Sequence, residues 1–447
     1  MTLQHTPAAS RTPAGGDGAG NDALELRIHE RLLQDLDLRQ LDQMPEEERR
    51  QQVHAAVTSI LAELAPGVAG VTREAIVRNV VNDSIGLGPL QPLLDNPDIS
   101  EIMINAPDRV FIEENGKLTL SNVRFRDVNH IRRIADRIVQ PLGRRLDESS
   151  PLVDARLPDG SRVNITIPPV SPESPSITIR KFQTDRFGIA DYLRLGVMTP
   201  EVAGFMRAVV IAKANIVIAG GTGSGKTTML NAISAFIPDD ERLVSIEDPI
   251  EIQLRQTHVV KLEARPPGVG GVGEVTQGDL VKNALRMRPD RIVMGECRRE
   301  EAFDMLQAMN TGHDGSLTTL HANTPRDAVA RIENMVMMAG FDLPILAIRQ
   351  QIASAVHLFL QLSRMQDGSR KLVNVTEVLG MEGDTVTLQD IFVFDNRGPD
   401  EDGKIQGELV STGIRAEFTD RFPQYGVTAE WSDDFLTEQP STPKIGL

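Results

Sequence analysis

Residues Gly220–Thr228 read GGTGSGKTT, which satisfies G-x-x-x-x-G-K-[ST] through Gly220, Gly225, Lys226 and Thr227. The apolar run Asn215–Ala219 before it reads as a buried strand, and Thr228–Ile233 after it reads as a helix. Few folds accept a strand, a glycine loop and a helix in that order. Gly220, Gly221, Gly223 and Gly225, interleaved with Thr222 and Ser224, let the backbone curl with its N–H groups pointing inward, and the helix start adds a favourable dipole. Such a cradle is expected to bind a nucleoside triphosphate, ATP. Lys226 is expected to reach the β- and γ-phosphates and Thr227 to ligate Mg²⁺, with Thr228 closing the loop.

Composition narrows the setting. The chain has 447 residues, enough for several domains, and its 40% hydrophobic and 25% charged content is that of an ordinary globular protein. A net charge of -16 argues against generic nucleic-acid binding, so no nucleic-acid partner is expected. The one cysteine, Cys297, excludes an internal disulfide and fits a reducing compartment. Met1–Ser10 has no apolar core, and the longest apolar stretch, Ala208–Ala219, is interrupted by Lys213 and Asn215. Neither a signal peptide nor a membrane span is expected, which predicts a cytoplasmic protein that reaches a membrane only through partners.

Along the chain, residues 1–22 are rich in Ala, Gly, Pro and Thr and read as a disordered tail. A helical module over 23–81 follows, with Leu24, Ile28, Leu32 and Leu36 at i, i+4 spacing, then Val53, Val57 and Leu61 in a second helix that starts at Pro45. From Asn82 to Phe182 short strands alternate with turns such as Asn115-Gly116 and Pro158-Asp159-Gly160, and one helix runs over 129–140, giving an α+β domain. Residues 183–198 read as a linker or hinge, 199–394 as alternating strands and helices around a mostly parallel sheet, and 395–447 as an acidic, partly ordered tail.

Hydrolysis needs more than a phosphate loop. The strand Leu243–Ile246 leads into Glu247-Asp248-Pro249-Ile250-Glu251, and the strand Arg291–Met294 into Gly295-Glu296. Carboxylates at strand ends are where such folds hold Mg²⁺ and orient water. Gly295 stands where an acid commonly precedes that glutamate, so the water-activating role falls on Glu296. Glu247 and Glu251 are candidates for Mg²⁺, their roles unseparated. His321 ends the strand Ser316–Leu320 and could sense the γ-phosphate, and His313 precedes that strand as a second nucleotide-binding candidate. No third ligand sits at a zinc-like spacing. The run Gly268–Gly273 matches G-x-G-x-x-G but follows Pro266-Pro267 rather than a strand, so it reads as a flexible loop. Cys297 reads as a packed residue, and Met335, Met337 and Met338 as core.

The segments GGTGSGKTT, SIEDPIEI, LVKNALRMRPDRIVMGECR and AMNTGHDGSLTTLHANTPRDAVARIENM, between about Asn82 and Phe394, resemble the secretion-ATPase superfamily that powers type II and type IV secretion and type IV pili. Within it, the chain looks like the CpaF-like ATPases of tight-adherence (Flp) pili. The resemblance implies an α/β, RecA-like P-loop ATPase domain with an α+β N-terminal domain and a helical module in front. It implies that Gly220–Thr228 is the Walker A loop, that Glu247–Glu251 is an acidic box, that Gly295-Glu296 is Walker B, and that His313 and His321 lie in a histidine box. It also implies a hexameric ring, inner-membrane platform proteins as partners, and arginines from the N-terminal domain that complete the site, with Arg156, Arg162 and Arg180 as candidates. Two rivals are a RecA-like nucleic-acid motor, disfavoured by the acidic balance, and an ATP-dependent assembly switch with little turnover, disfavoured by Glu296.

Overall fold

The computed structural model describes residues 18–36, 41, 44–68, 70–114, 116–182, 187–267 and 272–430. Expectations that fall on 1–17, Asn115, 183–186, 268–271 and 431–447 lie outside the described residues. The chain divides into two compact units, Met1–Gln183 and Thr184–Leu447.

In the first unit, helices Gly18–Asp35, Glu46–Leu64 and Gly70–Ile85 bury one apolar stripe each, and Ile28, Leu32, Val53, Val57, Leu61, Ile76 and Val80 meet in a common core. Pro45 caps the second helix, and Glu46, Glu47 and Glu48 complement its dipole. Two expectations are corrected. The first helix begins inside the stretch assigned to a tail, and the third runs past Asn82 to Ile85. Val77, Val80 and Val81 carry the apolar period on, and Asn82 is buried with its side-chain oxygen accepting from Arg50 at 3.2 Å.

The same unit holds strands β1 (Ile99–Ala106), β2 (Arg109–Glu114), β3 (Lys117–Leu120), β4 (Leu152–Arg156), β5 (Arg162–Thr166) and β6 (Ser176–Arg180). They form an antiparallel sheet in the order β3-β2-β1-β6-β5-β4. Helix Val128–Val139 starts on Asp127, whose carboxylate accepts from the His130 N–H at 2.7 Å. Its Ile131, Ile134 and Ile138 share a core with Ile102, Ile104, Val163, Ile165, Ile177 and Ile179 of the sheet.

The second unit is built on β7 (Ile216–Gly220), β8 (Leu243–Glu247), β9 (Val259–Glu263), β10 (Arg291–Met294), β11 (Leu317–Leu320), β12 (Leu358–Arg364), β13 (Arg370–Glu382), β14 (Thr385–Pro399) and β15 (Ile405–Ser411). The sheet order is β15-β14-β13-β12-β7-β11-β10-β8-β9. From β12 to β9 all pairings are parallel, and β13, β14 and β15 extend one edge antiparallel. Every residue of β7, β8, β10 and β11 is buried, as a parallel sheet covered on both faces requires. β7 and β8 are consecutive in sequence, yet β11 and β10 lie between them. The chain therefore leaves β7 for one side of the sheet and later returns to its other side at β12. A crevice opens at such a switch point, beyond the C-terminal ends of the strands. This is the α/β, RecA-like P-loop architecture.

Two segments differ from expectation. Helix Ile189–Arg194 falls in the stretch read as a linker, yet Ile189, Tyr192, Val197 and Met198 are buried in the core of the second unit. Residues after Phe394 continue β14 and form β15, and Leu409, Phe418 and Phe422 reach the same core. Among the described residues, the acids Asp395, Asp400, Glu401 and Asp402 occupy solvent-facing positions, and Arg397 bridges Asp395 and Glu408. Buried Glu377 accepts from the N–H groups of Glu417 (2.9 Å) and Phe418 (2.7 Å), which pins the segment. Met335 is core as expected, whereas Met337 and Met338 are exposed.

Candidate functional site

β7 delivers the glycine loop to the crevice. A side chain at Gly220 would place its Cβ 2.8 Å from the Leu362 carbonyl oxygen on β12, so only glycine fits that close approach. Gly223 (φ +71°) and Gly225 (φ +92°) adopt left-handed conformations, and helix Lys226–Ser234 starts directly from Gly225. The Ser224 hydroxyl donates to the Gly221 carbonyl at 2.8 Å. Lys226 is buried, and its ammonium donates to the carbonyls of Gly220 and Gly221, both at 3.2 Å. Desolvation lowers the Lys226 pKa, and the Glu296 carboxylate partly opposes this. Thr222 and Gly223 are exposed, while Thr227 and Thr228 sit half-buried in the first helical turn. N–H groups at a helix start beside a held cation make a binding site for phosphates.

Glu296 stands two residues beyond the end of β10. The Gly295 N–H donates to Ile246 at 2.9 Å, and the Thr319 hydroxyl donates to the Gly295 carbonyl at 2.7 Å, which fixes the turn. The Glu296 carboxylate lies 2.9 Å from the Arg298 guanidinium through Oε2 and 2.9 Å from His321 Nε2 through Oε1. Both ring nitrogens of His321 are 3.5 Å from Lys226 Nζ. One imidazole thus spans the phosphate-loop lysine and the strand-end acid. Desolvation first, then the Lys226 charge, lowers the His321 pKa, so the ring is neutral near pH 7. It lies within 3.5 Å of the ammonium and 2.9 Å of the carboxylate.

The structure separates the two acids of the neighbouring loop. Glu247 is buried, and its Oε2 accepts from the N–H groups of Glu251 (2.6 Å) and Ile252 (2.7 Å). Burial raises its pKa. Glu247 therefore shapes the loop, and half-buried Glu251 rides on it. The Gln277 amide, oriented to donate to the Glu296 carbonyl (3.1 Å) and accept from the Asp248 N–H (3.3 Å), ties that loop to the end of β10. Among the described residues no group of three or more His, Cys, Asp or Glu is arranged to hold a metal. Mg²⁺ asks for less, because it keeps several waters and takes one or two protein oxygens beside substrate phosphates. The Thr227 hydroxyl next to the loop, with Glu251 on the adjacent loop, fits that demand. Glu247 fits it less well, since one of its oxygens serves two N–H groups.

His313 is a correction. It precedes β11, so it stands at the N-terminal edge of a sheet whose phosphate loop is at the C-terminal edge. The four-residue strand between spans roughly 13 Å. There the His313 carbonyl accepts from the Ser316 hydroxyl at 2.8 Å. Cys297 is buried against Met294 and Thr318, with its thiol pushed up to about 12 by burial, as suits a packed residue.

Arg156, Arg162 and Arg180 come together within the first unit. Arg156 pairs with Arg162 and Arg162 with Arg180, so the three form one row across β4, β5 and β6. The neighbouring register, Val163 and Ile179, points into the core, which puts the row on the opposite face. Arg180 bonds Glu101 of β1 at 2.8 Å, and Arg156 donates to the Gly160 carbonyl at 3.3 Å. Four side chains escape a reading of the sequence: Arg298 on Glu296, Gln277, Gln361, which donates to the Ala322 carbonyl at 3.1 Å, and Arg370, which donates to the Gly223 carbonyl at 3.0 Å. Arg298 sits close to Glu296 in sequence. Arg370 is 147 residues from Gly223, and no local motif announces it.

Residues 83–398 match the type II/IV secretion system protein family. The chain belongs to this family. It is similar to a putative conjugal transfer protein of Mycobacterium tuberculosis, 36% identical over 349 residues covering 76% of this chain and 98% of the relative. It is 33% identical over 315 residues to the type IV secretion system protein PtlH of Bordetella pertussis, covering 65% of this chain and 93% of that one. Among solved structures, the VirB11 ATPase from the Brucella suis type IV secretion system is 30% identical and covers 64% of this chain and 94% of that chain, with a TM-score of 0.35. Family membership carries nucleotide binding and ATPase activity in general form. The resemblance drawn from the motifs holds at this level. Among the described residues no helix is long and apolar enough to cross a membrane.

Proposed function

We propose that this chain is a Mg²⁺-dependent ATPase motor that works as a ring, a hexamer, and powers assembly or retraction of a tight-adherence pilus, or related secretion, against inner-membrane platform proteins from the cytoplasmic side. The observation that carries the catalytic part is the placement of His321 between Lys226 and Glu296.

The mechanism follows from these contacts. Lys226 exchanges its two carbonyl partners for the β- and γ-phosphate oxygens, a stronger charge-assisted interaction. Thr227 and the loop of Glu251 would hold Mg²⁺, which would supply positive charge against the phosphates. Glu296 orients the attacking water, and the ion pair with Arg298 holds its carboxylate in position. His321 touches both groups, so loss of the γ-phosphate changes its hydrogen bonds and reports hydrolysis to the loop after β11. The Arg156–Arg162–Arg180 row supplies guanidinium groups to a site completed in a ring, and closed symmetry gives every site such a neighbour.

The test is Mg²⁺-dependent ATP hydrolysis per subunit against protein concentration, for the wild-type protein and Glu296→Gln. Specific activity that rises with concentration and falls about 100-fold or more in the variant supports the reading. Unchanged hydrolysis in Glu296→Gln removes that residue from its role and favours an assembly switch. The conjugal-transfer name of one relative favours a second reading, a motor for nucleic-acid transfer. Salt-sensitive binding to single-stranded DNA would support it, although the net charge of -16 argues the other way.

A further inference from the structure

β12 lies beside β7 and carries a run of buried residues, Leu358, Phe359, Leu360, Gln361 and Leu362, of which Gln361 alone is polar. Gln361 is 2% exposed, and its Nε2 donates to the Ala322 carbonyl at 3.1 Å and to the Leu362 carbonyl at 3.2 Å. We infer that Gln361 is a positioning residue that holds the loop after β11 against the end of β12, so that His321 stays between Lys226 and Glu296. The inference rests on the reading of His321 given above and adds the residue that keeps it in place.

One amide reaches both sides of the site. Ala322 directly follows His321, so a bond to its carbonyl fixes the backbone from which the imidazole projects. The His321 side chain is 44% exposed, too open for packing alone to hold the ring, which makes a backbone anchor decisive. The Leu362 carbonyl is the one that an added Cβ at Gly220 would meet at 2.8 Å, where the phosphate loop leaves β7. A side-chain amide nitrogen carries two hydrogens, and Gln361 directs one to each carbonyl. The start of the phosphate loop and the His321 loop are thereby joined through a single group.

Strand geometry aims that group. Leu358, Leu360 and Leu362 belong to one core of the sheet and Phe359 to the other. Strand side chains alternate, so Gln361 shares the Phe359 face, beside Ala219 of β7. The register with β13 slips here. Gln361 pairs with Asn374 and Leu362 with Leu372, which leaves Val373 as an extra residue in β13. A bulge of this kind bends the strands and re-aims a side chain. Packing does not account for an amide at this position. Among the described residues, Gln361 Oε1 is buried with no hydrogen-bond partner. Leucine or methionine would fill the same apolar space without desolvating that oxygen. What those side chains lack is the pair of donors, and one of the two goes to the His321 loop.

The experiment measures steady-state ATP hydrolysis by the full chain as wild type, Gln361→Leu, His321→Ala and the double variant, with binding of ADP and of the non-hydrolysable analogue AMP-PNP to each. Gln361→Leu is expected to lower kcat about tenfold and to change KM by less than about threefold, because the phosphate loop keeps its own bonds. AMP-PNP should bind about fivefold more weakly and ADP within about twofold of wild type, because the γ-phosphate is what His321 meets. His321→Ala should lower kcat about 100-fold. Adding Gln361→Leu to it should cost less than about a further twofold, since the anchored ring is already gone. A merely structural glutamine would give losses that multiply in the double variant. Gln361→Met carries the test should the leucine variant unfold. A kcat within about twofold of wild type in both Gln361 variants, or multiplied losses in the double variant, overturns the inference. If His321→Ala itself hydrolyses ATP like wild type, the reading of His321 fails and the inference falls with it. If His321→Ala is impaired while the Gln361 variants behave as wild type, only this inference fails.

Discussion

At the residue scale, single atoms decide whether the loop holds its shape. Gly220→Ala would drive a methyl group into the Leu362 carbonyl. It is expected to lower stability by about 1–3 kcal/mol, through overpacking, and to weaken ATP binding. Thermal unfolding without nucleotide, paired with a nucleotide titration, checks both effects. His357 gives a pH prediction. Its Nδ1 accepts from the buried Asn215 N–H at 2.9 Å, and burial lowers its pKa from 6.5 to about 4. As pH falls through 6.5 the unfolded chain takes up a proton that the folded chain refuses until about 4, so stability falls across that window. The loss from this one group amounts to about 3 kcal/mol at the acid end. His357→Gln should flatten the pH dependence of the unfolding free energy between those values.

At the element scale, β10 must begin and end correctly for Glu296 to reach His321. Arg291, fully buried at the start of β10, makes paired bonds to Glu241 (2.5 and 2.8 Å) and a third to the Val210 carbonyl at 2.6 Å. Glu241→Gln leaves a buried guanidinium without its counter-charge. A loss of about 3–5 kcal/mol is expected in chemical denaturation. The antiparallel edge is equally part of the unit. Phe205 packs on Phe392 and Phe422 with ring centroids 5.5 and 6.4 Å apart. A chain truncated after Phe394 should therefore unfold at a markedly lower temperature than the full chain. Wild-type stability in the truncated chain would show the edge to be dispensable. Sequence pattern hid this edge because acids and glycines cluster between Phe394 and Ile405, and Leu409, Phe418 and Phe422 are widely spaced. The short helix at Ile189 was hidden for a related reason, since six residues are too few to display a helical period.

At the scale of the whole molecule, the phosphate loop and the arginine row belong to different compact units. If arginines act on a neighbouring subunit, Arg162→Ala and Lys226→Ala proteins, each inactive alone, should recover activity when mixed. Random exchange in closed rings predicts about a quarter of wild-type activity at equal amounts. No recovery after demonstrated subunit exchange would place each arginine in its own subunit's site, or outside the site.

The candidate site residues stand out in the sequence because their signals are local. A phosphate loop needs its glycines, lysine and threonine within nine consecutive positions, and Glu296 and His321 follow apolar strands that announce themselves. Those residues, the parallel sheet and the family are legible from the order of amino acids alone. What only the tertiary structure decided was pairing across the sheet. Glu247 and Glu251 look alike as text, but burial turns one toward the backbone and leaves the other on the loop. His313 and His321 lie on one strand's flanks, and strand direction alone sends them to opposite edges. Arg370 meets Gly223 across 147 residues, through a strand order that no run of neighbouring residues encodes.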